Sequence, residues 1–171
     1  MDDDLRTALA AGDPAAYERA YDRYGPALFR TAVRLLGDEH QAEDAVQEVF
    51  AALVRSRRRL AGVADLKAYL FAALRHAAGR IGRGNARCRA AGLDDAPSPE
   101  APPRPSGLEA DDLWRLADRL PAEQKDVLVL KIQGELTFRE VAAVCGISPN
   151  TAASRYRYAL GKLKAMLESE R

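Results

Sequence analysis

The chain has 171 residues, which is enough for one medium-sized domain or two small ones. Its 47% apolar and 30% charged residues are typical of a soluble helical protein, and its net charge of +1 argues against a histone-like binder of nucleic acid. The two cysteines and two histidines lack the spacing of metal ligands, and we predict neither a metal nor a cofactor. No apolar run is long enough to cross a bilayer and no signal peptide is recognisable, so we expect a cytoplasmic protein without membrane insertion.

The small net charge conceals alternating blocks of opposite sign. Residues 55–92 contain ten basic and one acidic side chain, and residues 127–171 contain seven basic and four acidic ones. Residues 1–54, with eleven acids and five bases, and residues 93–126, with nine acids and four bases, are acidic. Such blocks predict two contacts with nucleic acid on a chain that also binds a cationic partner.

The first predicted helices are rich in aromatic side chains. Asp13-Pro14 opens a helix, which Gly25-Pro26 is expected to end while starting a second helix that closes at Gly37. The first of these helices has an apolar face made of Tyr17, Ala20, Tyr21 and Tyr24.

A third helix is predicted from about His40 to Arg58. Its apolar positions are Ala42, Ala45, Val46, Val49, Phe50 and Leu53. The acids and amide between them must project outward in part, as a solvated face or as a docking surface for a basic partner helix; they are Glu43, Asp44, Gln47 and Glu48.

A fourth helix is expected after a break at about residues 60–64, with Asp65 as its cap and with glycines 79, 82 and 84 weakening its far end. The cations around it are too numerous to pair with one carboxylate, which indicates phosphate as the partner. Either Tyr69 or Phe71 is expected in the core, and an exposed ring beside cations suits single-stranded DNA. The cations are Arg55, Arg57, Arg58, Arg59, Arg75, Arg80, Arg83, Arg87 and Arg89.

Residues 91–107 contain five prolines and few side chains that could pack, which predicts a flexible linker and a domain boundary. We therefore predict an all-α chain of two small helical domains, 1–90 and 108–171, joined by this linker. The second domain begins with helices at about 108–120 and 122–133.

A helix-turn-helix pattern closes the chain. Thr137 and Glu140 form a capping box, Gly146 supplies the turn, and Ser148 and Pro149 begin a second helix that is basic and free of acids. The apolar stripe expected on that helix consists of Ala152, Tyr156, Leu160 and Leu163.

The second helix of this pattern has side chains that can contact DNA, although an ordinary helical hairpin in a bundle would have the same outline. Asn150 and Arg155 can reach base edges. The side chains better suited to phosphate are Thr151, Ser154, Arg157 and Tyr158.

Three stretches together resemble the extracytoplasmic-function (ECF) sigma factors of bacterial RNA polymerase. AYERAYDRYGPALFRTAVRLLGD with QAEDAVQEVF is similar to the family's first helical region, and DLKAYLFAALRHAAGRI is similar to its promoter-melting helix. The stretch RLADRLPAEQKDVLVLKIQGELTFREVAAVCGISPNTAASRYRYALGKLK is similar to the domain that reads the −35 element.

The resemblance implies partners and roles that the residues alone do not give. It implies docking on the clamp helices of the polymerase largest subunit by Asp44, Gln47, Glu48 and Phe50, and contact of the chain with the flap. It implies contact with the −10 element and the opened strand by Arg57, Arg58, Arg59, Tyr69, Arg75, Arg80 and Arg83. It also implies promoter DNA as ligand, a linker directed toward the polymerase active centre, and an anti-sigma partner.

Besides a sigma factor that recruits polymerase and helps to melt the promoter, three other functions could use parts of this sequence. One is a helix-turn-helix regulator that acts without polymerase, and another is an adaptor recruited by a DNA-bound complex. The third is an enzyme with His76 as general base, for which no nucleophile or metal-binding carboxylates are recognisable, so we expect no catalysis. A redox role for Cys88, which lies among arginines, stays open.

Overall fold

The computed structural model describes residues 2–91 and 108–169, and within these ranges the chain forms helices and no strand. The prediction of an all-α chain with two helical parts is confirmed. The predicted linker 91–107, apart from Ala91, lies outside the described residues. The first part contains α1 (Asp2–Ala11), α2 (Pro14–Leu36), α3 (Glu39–Arg55), a 3₁₀ helix (Arg57–Gly62) and α4 (Leu66–Ala90). The second contains α5 (Leu108–Ala117), α6 (Ala122–Ile132), α7 (Phe138–Cys145) and α8 (Pro149–Ser169).

The predicted break at Gly25-Pro26 is wrong, because α2 continues through both residues. A proline inside a helix costs about 3 kcal/mol through its lost hydrogen bond and steric clash. Burial on both sides of it offsets that cost, with Tyr24 and Leu28 packed in the core. Tyr21, which was predicted on the same face as Tyr24, is 55% exposed at the edge of that face.

The segment between α3 and α4 is more regular than predicted. The third helix ends at Arg55 rather than Arg58, and the Ser56 amide donates to the Ala52 carbonyl at 2.9 Å. The chain then continues as the 3₁₀ helix, which the fully buried Leu60 fixes to the core. Helix α1, which the sequence analysis did not identify, packs on this segment through the buried Leu5 and Leu9.

The glycines in the second half of α4 do not end it, and the helix runs to Ala90. A glycine in a helix interior costs only about 1 kcal/mol relative to alanine. The first half is fixed by buried Leu70 and Leu74, and Asn85 in the second half donates through Nδ2 to Gln41 Oε1 of α3 at 2.8 Å. Contacts with the rest of the domain therefore outweigh the local propensity.

The C-terminal turn forms as its residues predict. Thr137 and Glu140 make a reciprocal capping box, and Gly146 ends α7 with a φ of 67°. Ser148 Oγ accepts from the Thr151 amide at 3.1 Å, and Pro149 occupies the first position of α8.

Two details of the second domain differ from prediction. The first helix ends at Ala117 rather than Leu120, because the chain tightens into a turn before Pro121. The predicted apolar stripe on α8 is wrong at Leu160, which is 42% exposed, and Ala159 is buried in its place.

The two helical parts share one continuous apolar core. Phe71 and Leu74 of α4 are fully buried in the same cluster as Val127, Leu130 and Leu136 of the second part. This packing fixes the orientation of α4 relative to α6 and α7.

Candidate nucleic-acid interface

The arginines of the 3₁₀ helix form an exposed basic concavity. Arg57, Arg58 and Arg59 are exposed, and together with residues 54–56 they line an open depression of about 640 Å³. Gly12 has a φ of 83°, and a Cβ added to it would lie 2.6 Å from Arg57 Nη1. The turn between α1 and α2 therefore gives the Arg57 guanidinium room to lie against the backbone.

Most of the α4 residues predicted to contact DNA lie on one exposed face of the helix. Tyr69, Arg80 and Arg83 recur at helical spacing, with Tyr69 half-buried and both arginines exposed. The exposed His76 and Arg87 fall on the same face; Arg87 was predicted only as one of the phosphate-binding cations, and neither was among the residues assigned to the −10 element. The three- and four-residue spacing from His76 to Arg87 was the signal that could have identified them. We call these five residues the α4 basic face.

Arg75 does not lie on the α4 basic face. It points toward the second domain, where its Nε is 3.0 Å from Asp126 Oδ2 of α6. Arg80 on the basic face forms an ion pair with Glu48 of α3. Two of the α4 cations predicted to bind DNA are therefore paired with carboxylates of the same chain.

The outer face of α8 presents the predicted −35 residues together. Asn150, Thr151 and Tyr158 are exposed, and Tyr158 is 67% exposed. Arg157 donates through Nη2 to Ser154 Oγ at 3.3 Å. We call these five residues the α8 outer face.

Arg155 lies at the edge of the α8 outer face. Its Nη2 is 2.7 Å from Glu123 Oε2 of α6, and its side chain is 28% exposed. The guanidinium is thus ordered at the border between the domain interior and the surface expected to meet DNA.

The residues predicted to dock on polymerase lie on α3 as a mixed acidic and aromatic surface. Asp44 and Gln47 are exposed, and Glu48 and Phe50 are half-buried. The Phe50 ring is tilted against Tyr21 of α2, with 5.1 Å between their centroids. Tyr21 therefore belongs to the same surface. We call the outward side chains Glu43, Asp44, Gln47 and Glu48 the acidic ridge.

The two thiols have different surroundings. Cys145 is half-buried, and burial raises the pKa of its thiol above the ordinary value of 9.0, with smaller opposing effects of nearby arginines. Cys88 is exposed. In the described ranges no three His, Cys, Asp or Glu side chains are grouped as metal ligands. None of the described helices is both long and apolar enough to span a bilayer.

Both helical parts match known families. Residues 20–87 match the family described as Sigma-70 region 2, and residues 110–163 match Sigma-70, region 4. The ECF RNA polymerase sigma factor SigL of Mycobacterium tuberculosis is 32% identical, over 95% of this chain and 96% of that protein. The ECF RNA polymerase sigma factor ShbA of Streptomyces griseus is also 32% identical, over 79% of this chain and 76% of that protein.

Two solved structures have a similar fold. One is CnrH in complex with the cytosolic domain of CnrY, with a TM-score of 0.73 and 23% identity over 98% of this chain and 97% of that chain. The other is the sigma factor RpoE in complex with the anti-sigma factor NepR from Bartonella quintana. Its TM-score is 0.66, with 24% identity over 91% of this chain and 98% of that chain.

Proposed function

The chain belongs to the ECF sigma factors of bacterial RNA polymerase, and from that premise we propose how its residues divide the work of promoter recognition. It is a subunit that directs core polymerase to promoters, so the alternative of a regulator acting without polymerase is set aside. Sigma factors are not enzymes as a family. On that ground we propose that this chain supplies recognition and leaves catalysis to the polymerase, and that it acts in the cytoplasm with the polymerase.

The α8 outer face reads the −35 duplex. Asn150 and Arg155 make base-edge contacts, because their amide and guanidinium groups match the donor and acceptor patterns of the major groove. Thr151, Ser154 and Arg157, with the exposed Tyr158, contact phosphates and set the register of the helix.

The α4 basic face and the 3₁₀ arginines bind the −10 region. Arg80 and Arg83 neutralise phosphates, and Tyr69 offers a ring against which an unstacked base can lie. Arg57, Arg58 and Arg59 surround the concavity beside it. Melting follows from differential binding, since extruded bases are held only in the open state.

The acidic ridge, with Phe50 and Tyr21, docks on the basic clamp helices of the polymerase largest subunit. An exposed acidic surface flanked by a tilted aromatic pair supplies both steering charge and apolar area to a partner helix. The second domain meets the polymerase flap while α8 lies on DNA, and the linker runs toward the polymerase active centre.

An anti-sigma protein is the remaining partner in this proposal. Both structural neighbours were solved with a bound protein, which is named as an anti-sigma factor for RpoE. A partner that covered the acidic ridge and the α8 outer face would keep this chain from both polymerase and promoter.

The observation that supports this division most directly is that the α4 basic face and the α8 outer face lie in different helical parts, while a third surface, the acidic ridge, lies on α3. A regulator that contacts only DNA has no use for that ridge. A structural bundle would pair the cations of the α4 basic face within the fold, and Arg83 and Arg87 are exposed instead.

Permanganate footprinting of the holoenzyme on a promoter fragment tests the division. We expect Arg80→Ala with Arg83→Ala to abolish reactivity of unpaired thymines in the −10 region while leaving DNase protection of the −35 region. Lys164→Ala, which removes a 78% exposed cation of α8, is the control and should preserve both signals. If the α4 variant melted the promoter normally, the proposed role of the α4 basic face would be wrong.

A further inference from the structure

Helix α1 packs against the 3₁₀ helix and precedes residues 20–87, which match Sigma-70 region 2. Its Leu5 and Leu9 are buried in the same core cluster as Leu60 of the 3₁₀ helix. The helix is also fixed to α2, because Tyr17 donates through its hydroxyl to the Leu9 carbonyl oxygen at 3.1 Å. The 3₁₀ helix therefore rests on an element that lies outside the residues matched to the family.

A side chain of α1 holds the far end of the 3₁₀ helix. Arg6 donates through Nη1 to the carbonyl oxygen of Val63, the residue that follows the last turn. The Arg6 side chain is 23% exposed, and its Nη2 is 3.1 Å from Asp3 Oδ1 on the same helix. Because a charged donor makes a stronger hydrogen bond than a neutral one, this contact fixes where the chain leaves the 3₁₀ helix.

The turn between α1 and α2 holds the near end of the 3₁₀ helix. A Cβ added to Gly12 would lie 2.6 Å from Arg57 Nη1 and 3.7 Å from Arg57 Cδ, so the arginine side chain occupies the space that a larger residue would take. The turn itself is closed by the Asp13 amide, which donates to the Ala8 carbonyl oxygen at 3.1 Å. The Arg57 guanidinium thus lies against an ordered backbone.

Both contacts affect the concavity lined by Arg57, Arg58 and Arg59. A 3₁₀ helix of six residues is weak by itself, because its hydrogen bonds are poorly aligned. A guanidinium that is already held in place also loses less side-chain entropy on binding than a free one. Contacts from α1 at the two ends of the segment therefore decide the shape and order that the concavity offers to a ligand.

We propose that α1 sets the shape of the −10 site of this chain, with Arg6 and Gly12 as positioning residues that do not touch DNA themselves. Arg6 fixes the end of the 3₁₀ helix, and Gly12 leaves the space in which the Arg57 guanidinium lies. This role rests on the proposed −10 contact of the 3₁₀ arginines. Base preference at the −10 element then depends on residues outside the segment matched to Sigma-70 region 2.

Two glycines of the first domain provide a test in which backbone strain is matched. Gly12→Ala and Gly37→Ala both place a side chain at a positive φ, 83° and 72°, but only the Cβ at position 12 meets another side chain, that of Arg57. We expect both variants to lose similar stability in urea denaturation. Only Gly12→Ala should weaken binding of preassembled holoenzyme to a promoter fragment selected by footprinting, roughly threefold to tenfold, since Arg57 must then be ordered on binding.

A second pair of variants tests the Arg6 contact without backbone strain. Arg6→Met removes the donor to Val63 and keeps an apolar stem, whereas Arg6→Lys keeps a charged donor. We expect Arg6→Met to speed amide hydrogen exchange in residues 57–63 of the full chain. It should also reduce the preference of the holoenzyme among promoter fragments that differ by one −10 base, and Arg6→Lys should restore both properties. A merely structural role would lower stability without changing the ratio of these affinities.

The Arg57→Ala holoenzyme separates this role from the −10 assignment on which it rests. If Arg57→Ala weakened promoter binding while Gly12→Ala and Arg6→Met bound with wild-type affinity and base preference, α1 would have no positioning role and the −10 contact would stand. Equal losses for Gly12→Ala and Gly37→Ala would also overturn the positioning role of Gly12. If Arg57→Ala bound as wild type, the proposed −10 contact would be wrong and the role of α1 with it.

Discussion

At the scale of single residues, Arg155 shows how a base-reading side chain can be ordered before DNA arrives. Glu123 holds its guanidinium 2.7 Å away, at the edge of the α8 outer face. An arginine that is already oriented loses less side-chain entropy on binding than a free one. The cost is that Glu123 must release the guanidinium or tolerate a nearby phosphate.

We predict that Arg155→Ala weakens binding of the holoenzyme to its promoter by about 1–3 kcal/mol and relaxes preference at one −35 position. The reason is the loss of bidentate hydrogen bonds to a base edge. Lys164→Ala, on the same helix but paired with Glu168, should change affinity far less. If a filter-binding or anisotropy titration showed equal losses of promoter affinity for both variants, Arg155 would contact phosphate and not a base edge.

The two thiols should differ in reactivity. Burial raises the pKa of Cys145, so less thiolate is present at a given pH and alkylation is slow. Iodoacetamide at about pH 8 should therefore modify the exposed Cys88 first, as read by peptide mass spectrometry.

The same shift has a consequence for folding stability. Because the folded chain holds the Cys145 proton more tightly than the unfolded chain, the associated stabilisation is complete below the ordinary value of 9.0. That stabilisation declines as the pH rises above 9.0 toward the raised pKa of the folded chain. In the iodoacetamide experiment, faster labelling of Cys145 than of Cys88 would contradict the buried position of the Cys145 thiol.

At the scale of elements, local chemistry was predictable and tertiary packing was not. The Thr137–Ser148 turn formed as predicted because its caps and its left-handed glycine act within a few residues. The continuity of α2 through Pro26 depends on burial supplied by other helices, which a local pattern does not contain.

In the candidate site, too, the features that depend on local sequence were predictable and those that depend on domain packing were not. Side-chain chemistry and position in the second helix of the turn predicted Asn150, Thr151 and Tyr158 as DNA contacts, and all three side chains are exposed. The ion pair of Arg75 with Asp126 joins residues 51 positions apart in sequence, so it depends on how the domains pack.

Two glycines of the second domain should respond oppositely to alanine. Gly146→Ala places a side chain at a φ of 67° and should destabilise the fold by about 1–2 kcal/mol. Gly161→Ala, inside α8 with open space around the new Cβ, should stabilise it by about 0.5–1 kcal/mol. Urea denaturation of the full chain measures both, and the same sign for the two variants would refute the turn geometry.

The acidic ridge should control polymerase binding as a unit. We predict that Asp44→Lys weakens binding to core polymerase roughly tenfold, because it places a like charge against a basic partner. Asp4→Lys, an equal charge change on the exposed surface of α1, is the control and should bind as wild type. Competition against a labelled sigma factor measures both. An Asp44→Lys chain that bound with wild-type affinity would exclude the ridge as the docking surface.

At the scale of the whole molecule, the net charge of +1 is the sum of basic and acidic surfaces that lie apart. The basic surfaces attract nucleic acid, and the acidic ridge attracts a basic protein partner. The basic faces belong to different helical parts, and the acidic ridge lies on α3. Within the described residues some of these charges are paired internally, through Asp126 with Arg75 and Glu48 with Arg80. Polymerase docking at Glu48 and DNA binding at Arg80 therefore draw on the same ion pair.

The division into domains at 1–90 and 108–171 stays a prediction, although it has a simple physical basis. Five prolines in residues 91–107 disfavour packed helix, and two family matches fall on either side. The shared core of Phe71 with Leu136 could not be read from the sequence, because both appear as ordinary core residues of their own domains.

The most direct test of the account is run-off transcription by core RNA polymerase supplied with this chain, on genomic fragments selected by footprinting of the holoenzyme. We expect a transcript that begins at a fixed distance from the footprint, requires the chain, and is lost when Arg80→Ala is combined with Arg83→Ala. A chain that bound the same fragments but gave no promoter-dependent transcript with core polymerase would contradict it.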